Sequence, residues 1–375
     1  MDSFLDKSVN IKQNLSCAGC GAPLHFKPGT RSLLCTYCGT ANNIEQGDLD
    51  VVKVSLLPIP IDAYTTAIQK STINNSLLTT SEIASCKNCG ASTTLDPNIV
   101  STNCPFCASP MVIDHHTEVL IKPNALLPFE LDHKAALISF KGWGKKLWFA
   151  PNDLKEVFNR FSENGLKGVY IPYWSYNAAI DADYEGRQGE YYYVTRNVRG
   201  SDGKNSTVRE RRTRWYDVSG TVEGNIENVL ISASTSLSQS NADKISAWNL
   251  DKLVPFDERY LSGFLAQKYQ LNHQDALIKA KSKMNNEIEG WIIRDIGGDD
   301  QEIDNYEVNY NDVTLRYILL PVYLSSYQYK NKTYTILINA FTGRVYGDRP
   351  YSFWKIFFTV LFALVIIAIY FAISS

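Results

Sequence analysis

Hydrophobic positions follow three different patterns along this chain. From Ile356 to Ile373 they form an unbroken run, IFFTVLFALVIIAIYFAI, eighteen residues with no charge and with Thr359 as the one clearly polar member. A helix rising about 1.5 Å per residue would carry that run across about 27 Å, close to the ~30 Å hydrocarbon core of a bilayer, so it predicts a transmembrane helix over 353–373. Tyr351, Phe353 and Trp354 stand where an interfacial aromatic belt belongs. Arg344, Arg349 and Lys355 precede the run and only Ser374 and Ser375 follow it, which predicts a single-pass protein of the cell membrane with its N-terminal bulk in the cytoplasm. A buried core helix is the alternative, disfavoured because a soluble helix normally keeps a polar face.

Between 121 and 350 the pattern alternates between helical and extended spacing. Apolar residues at helical intervals predict helices over 132–147, over 151–163 (Leu154, Val157, Phe158 and Phe161 on one face) and from 273 to about 293. Val169 to Trp174 and Ile318 to Leu324 read as strands, each carrying a proline expected at an edge or strand start. Runs at 317–329 and 333–339 around a turn at 330–332, closed by Thr342-Gly343-Arg344, predict a β-meander. The order Leu126-Leu127-Pro128-Phe129-Glu130, helix, strand recurs as Leu253-Val254-Pro255-Phe256-Asp257, helix, strand. The proline spacings differ, 44 against 66, which leaves open whether 121–235 and 250–350 are two related halves of this α+β domain. Ahead of residue 121 the periodicity is weak. Val51 to Val54 reads as a strand, and Ser71 to Ser85 as a linker or weak helix.

Composition narrows the class. Setting the apolar run aside, roughly 350 of 375 residues remain, enough for two or three domains, with a net charge of −2 and a pI near 6.2 that give no overall bias toward nucleic acid or anionic lipid. The opening MDSFLDKSVNIKQN has no apolar core, so no signal peptide is expected and the protein reads as tail-anchored.

All eight cysteines fall in the first 107 residues, in two sets of one spacing. Cys17 and Cys20 are followed after fourteen residues by Cys35 and Cys38, and Cys86 and Cys89 after fourteen by Cys104 and Cys107, an offset of 69 at every cysteine. Cys20-Gly21-Ala22 repeats as Cys89-Gly90-Ala91, and Cys38-Gly39-Thr40 as Cys107-Ala108-Ser109, an internal duplication. Two residues between cysteines let both thiolates reach one ion from a tight turn, and two such turns complete a tetrahedral sulfur shell suited to Zn2+. The expectation is two structural zinc ions, in ribbons over 1–48 and 81–120 joined by a linker over 49–80. Such a shell leaves no position for water, so the metal should hold the fold rather than do chemistry. His25, His115 and His116 read as surface histidines.

Two stretches concentrate charge. Arg196 to Arg214 holds seven basic and two acidic residues, and Asp295 to Asp312 holds seven acidic residues and no basic one. Alternation spreads the arginines of 207–215 over both faces, which predicts a protruding hairpin. It would meet anionic headgroups or an acidic partner, or be a solvated hairpin neutralised by the acidic stretch.

The cysteine pairs, the Tyr170-Ile171-Pro172-Tyr173-Trp174 strand, and the closing residues Leu320-Pro321-Val322-Tyr323, Thr333-Tyr334, Asn339, Thr342-Gly343-Arg344 and Arg349-Pro350-Tyr351-Ser352 together resemble a family of bacterial double-zinc-ribbon membrane proteins. These carry a TFIIB-type label or are named after the zinc-binding part of the primosomal helicase. The resemblance implies no enzymatic activity and, for some relatives, association with membrane-stress proteins of the phage-shock and flotillin-like type. It does not carry a helicase here, because the chain has no G-x-x-x-x-G-K-[ST] loop. H-E-x-x-H and G-x-S-x-G are missing too, and neither His133 nor His273 lies in a catalytic motif. The expected function is a tail-anchored membrane adaptor or scaffold that uses its structural zinc ribbons to recruit or bind cytoplasmic proteins, in a membrane-stress response. A membrane-tethered nucleic-acid-binding protein is the alternative, weakened by the eight basic and ten acidic residues of 1–125.

Overall fold

The computed structural model describes residues 16–44, 56–74, 78–94, 101–107, 109–112, 116–159, 165–199, 205–330 and 332–374. β1 (Leu24–Lys27), β2 (Ser32–Cys35) and β3 (Ala41–Asn43) form the sheet of the first four-cysteine unit. The stretch expected as a linker carries β4 (Ile59–Pro60) and α1 (Ile61–Asn74); Val51 to Val54 lies outside the described residues. The second unit holds β5 (Leu78–Ser85), β6 (Ser92–Thr94), the pair β7 (Ser101–Asn103) and β8 (Pro110–Val112), and β9 (His116–Ile121). Next come β10 (Ala125–Leu126), α2 (His133–Lys145), α3 (Leu154–Asn159), β11 (Lys167–Arg199), β12 (Asn205–Ser232), α4 (Gln239–Ile245), β13 (Val254–Pro255) and β14 (Leu265–Ala266). The chain closes with α5 (His273–Ile296), β15 (Asp300–Tyr329), β16 (Lys332–Asn339), β17 (Val345–Gly347) and the apolar α6 (Phe353–Ser374). The class is α+β, with mostly antiparallel ladders in a nine-stranded sheet along the path β12-β11-β15-β10-β13.

Three strands dominate that sheet: β11 has 33 residues, β12 has 28 and β15 has 30. Their length follows from period-two patterning beyond the expected strands. Ala178, Ile180, Ala182 and Tyr184 turn one way and are buried, while Asp181, Asp183 and Glu185 turn the other. The covering element is α5, which buries Ala276, Ala280, Met284, Ile288 and Ile292, one residue every four, on the stripe it lays across the strands. Asn272 caps it at the N-terminus by accepting the Asp275 N–H, and Gly297, at φ 65°, ends it.

Both prolines lie in central strands, contrary to the expectation of edges or strand starts. Pro172 in β11 faces Leu319, and Pro321 in β15 faces Tyr170. Each sits where a second neighbour changes. β14 pairs with β11 up to Tyr170, and β12 joins at Tyr173. Likewise β10 pairs with β15 up to Leu319, and β16 joins at Val322. At these gaps no ladder needs the missing N–H. The proline carbonyls still accept, Pro172 from the Ala233 N–H at 2.9 Å and Pro321 from the Ala340 N–H at 3.1 Å.

Alternation gives the sheet two buried faces. Tyr170, Trp174, Tyr317 and Tyr323 pack with α2, α3, α5 and residues of the first cysteine unit, including Phe26 and Leu33. Val169, Ile171, Ile318, Leu320 and Val322 pack with α4 and residues of the second unit, including Cys86 and Phe106. The two units therefore sit on opposite faces of one sheet. α6 is the one described helix long and apolar enough to cross a membrane, and none of its apolar span is buried against the body. Its base is seated on the loop after α2. The Ser352 N–H donates to the Phe149 carbonyl at 2.8 Å, and Lys355 Nζ donates to the carbonyl of Ala150 at 2.7 Å.

Candidate metal centres and the projecting arm

In both units the cysteines converge. The four sulfurs of Cys17, Cys20, Cys35 and Cys38 lie within 4.8 Å of one another, as do those of Cys86, Cys89, Cys104 and Cys107. The local cause is the turn after each pair. The Gly21, Gly39 and Gly90 N–H groups close back on the carbonyls of Cys17, Cys35 and Cys86, with φ between 73° and 74° that a glycine adopts without strain. Nearest sulfur pairs are 3.4 and 3.5 Å apart in the first unit and 3.6 and 3.7 Å in the second. A tetrahedron with ~2.3 Å metal–sulfur bonds has edges of about 3.8 Å, so both thiol sets fit a single ion. In each set two cysteines are buried and two lie nearer the surface, which closes the inner side of the site.

Hydroxyl groups that spacing alone did not single out support the outer cysteines. Thr40 Oγ1 lies 3.2 Å from Cys38 Sγ, and Ser109 Oγ lies 2.9 Å from Cys107 Sγ. The repeat carried the signal: Thr40 and Ser109 hold the same position in the two sets. The Thr40 hydroxyl and N–H bring the Cys38 thiol down to about 6. Burial pushes Cys107 up, but hydrogen bonds from Asn88 and Ser109 outweigh it and bring that thiol to about 6 as well. Cys20 is favoured as thiolate by the Ala22 N–H, yet its contacts with the Cys35 and Cys38 sulfurs raise it to about 12, and burial raises Cys89 to about 11. An incoming cation must therefore displace protons from part of each set.

One loop, 256–271, touches both ribbons, and further bonds join each to the body, from the Gly29 N–H to the Phe129 carbonyl at 2.9 Å and from the Ser326 hydroxyl to the Phe106 carbonyl at 3.0 Å. The Phe26 N–H donates to the Ser262 carbonyl at 3.0 Å, and the Ser262 hydroxyl donates to the Leu24 carbonyl at 2.5 Å. A few residues on, the Ala266 N–H donates to Thr94 Oγ1 at 3.0 Å, and Gln270 Nε2 donates to the Gly90 carbonyl at 2.8 Å. His25 is exposed and lies over Gly263; His115 lies outside the described residues.

The basic stretch is the end of a hairpin. Pairing of β11 with β15 stops at Gly189 opposite Asp300, whereas pairing with β12 continues to Arg199 opposite Asn205. Residues 190–199 and 205–214 thus project as a two-stranded ribbon. Along it Arg209 lies over Tyr193 at 4.0 Å, Arg211 over Tyr191 at 4.2 Å and Arg214 over Tyr192 at 5.1 Å. The acidic stretch does not neutralise this tip. It lies beside the middle of β11, where Arg187 meets Glu302 at 2.8 Å and Asp304 at 3.2 Å, and where the Tyr184 hydroxyl donates to Asp295. Charge is therefore segregated along one ribbon, acidic in the middle and basic at the tip. The tip also points away from the base of α6, because β15 ends its run at the turn beside Pro350 and Tyr351. From Lys167 to Arg199 the strand covers about 100 Å, so the tip of this arm lies far from the base of α6.

No protein-family profile matches the chain, and no solved structure matches it. It is similar to the uncharacterized protein YdjG of Bacillus subtilis (strain 168), at 23% identity over 237 residues that cover 63% of this chain and 66% of that protein.

Proposed function

We propose that this chain is a membrane-anchored adaptor of the double-zinc-ribbon kind, holding two structural zinc ions, seated on the cytoplasmic side of the cell membrane, and presenting its hairpin arm to a cytoplasmic partner. The observation that carries the reading is the single scaffold joining an apolar helix, two closed four-cysteine centres on opposite sheet faces, and a projecting ribbon of exposed Arg and Tyr. The centres favour a structural role because four sulfurs leave no open coordination position. With the ribbons' apolar sides turned into the body, the arm is the more prominent contact surface. An acidic protein segment suits it, and the family resemblance points to membrane-stress or flotillin-like proteins.

The test is affinity purification of the full chain in mild detergent, with mass spectrometry of co-purifying proteins and metal analysis. Expected are two zinc ions per chain and a partner that the R209Q/R211Q/R212Q/R214Q variant loses. Recovery of the same partners by that variant would set the reading aside. The arm's exposed Tyr192 and Tyr193 beside arginines also support single-stranded nucleic acid as ligand. That second reading requires retention on nucleic acid that falls with salt and with the same substitutions.

A further inference from the structure

We propose that the body also meets the bilayer directly, through two lysine-and-aromatic clefts that flank the base of α6 and take the phosphates of anionic lipid headgroups. One cleft, of about 350 Å3, is lined by Lys145, Lys146, Trp148 and Lys355. The other, of about 260 Å3, is lined by Lys330, Lys332, Tyr334 and Tyr351. The first abuts the first turn of α6, because Phe149 and Ala150 accept from Ser352 and Lys355, and the second is lined by Pro350 and Tyr351 just ahead of that turn. The inference rests on α6 spanning the bilayer.

Four observations converge on a headgroup. Segments 145–153, 329–334 and 348–355 together hold six cations and two carboxylates. Both carboxylates are engaged by tyrosines: Asp153 accepts from the Tyr329 hydroxyl at 2.8 Å, and Asp348 from the Tyr346 hydroxyl at 3.1 Å. Among the described residues, none of Lys145, Lys146, Lys330 and Lys332 is in an ion pair. Trp148 is 85% exposed to solvent, a poor place for an indole in water and a favoured one at the headgroup level. Its distance in sequence from the apolar run hid it, since the belt legible there was Tyr351, Phe353 and Trp354. A soluble phosphate would satisfy the lysines alone. A lipid also satisfies the aromatic rims and lays its chains along the exposed side of α6.

The full chain in mild detergent is titrated with phosphatidylglycerol or phosphatidylcholine, and bound lipid is counted by native mass spectrometry. Phosphatidylglycerol should be retained at least tenfold more strongly. The K145Q/K146Q/K330Q/K332Q variant should lose that preference. Neutralising Arg209, Arg211, Arg212 and Arg214 should leave lipid retention unchanged, which separates this inference from the partner-binding role of the arm. Equal retention of the two lipids, an unaltered lysine variant, displacement of the lipid by millimolar inorganic phosphate, or a chain that stays dispersed without detergent would each overturn it.

Discussion

At the level of single residues, chemistry was legible where spacing encodes it and hidden where partners are remote. The eight cysteines announced themselves by interval, because two residues per turn is a local requirement of ligation. Asn339 did not. It is fully buried, donates to the Ile245 carbonyl at 3.0 Å and accepts from the N–H groups of Phe341 and Thr342 at 2.9 Å, tying the turn before β17 to α4. Replacing it by Leu leaves two donors and a carbonyl without partners, and the expected cost is roughly 3 kcal/mol in denaturant unfolding followed by tryptophan fluorescence. His273 gives a pH-dependent expectation. Buried beside Tyr64 and Trp174, with Nε2 3.0 Å from the Thr65 hydroxyl, it has its pKa lowered by burial. The unfolded chain then binds the extra proton, so this contribution is complete above the unfolded value of about 6.5 and is lost as pH falls below it. Melting temperatures of wild type and His273→Gln between pH 7.5 and 5.5 should converge as the pH drops.

Among the elements, α5 and the shorter meander strands followed from periodicity, but the length of β11 and β15 did not. The alternation at 178–185 was present in the sequence. Its outward half is acidic, and Gly186 and Gly189 follow it, so the stretch lacks the β-branched signal of a strand. What extends it is a tertiary contact: α5 covers the inward half, with Trp291 lying over Gly224 of β12. A Cβ at that glycine would come within 2.8 Å of the indole. Strand propensity alone says that Gly224→Val stabilises β12, while packing says the added methyls displace Trp291. The second effect is the larger, and we expect a loss of about 1–3 kcal/mol with a red-shifted tryptophan emission. The prolines were misplaced for a related reason, since strand rules assume a continuous neighbour and here the neighbours change at Pro172 and Pro321.

For the whole molecule, the sequence suggested separate modules on a string, and the fold joins them. The contacts that dock the cysteine units, such as Phe26 with Tyr260 at 5.0 Å between ring centres and Thr94 with Ala266, join residues far apart in the chain and leave no local trace. Removing metal should therefore loosen the body as well as the ribbons. Chelation is expected to lower the temperature of a single cooperative transition and to weaken near-ultraviolet circular dichroism from the core tyrosines. Two separate transitions, with the body's unchanged, would show that the units are independent.

The strand that carries the arm is about ten times longer than the ~8 Å Debye length of physiological saline. With α6 in a bilayer, as proposed, charges at the strand's far end and charges on the lipid surface would be electrically invisible to each other. On the proposed reading, what binds the tip would be chosen without regard to lipid composition, and only the foot of the molecule would sense the bilayer.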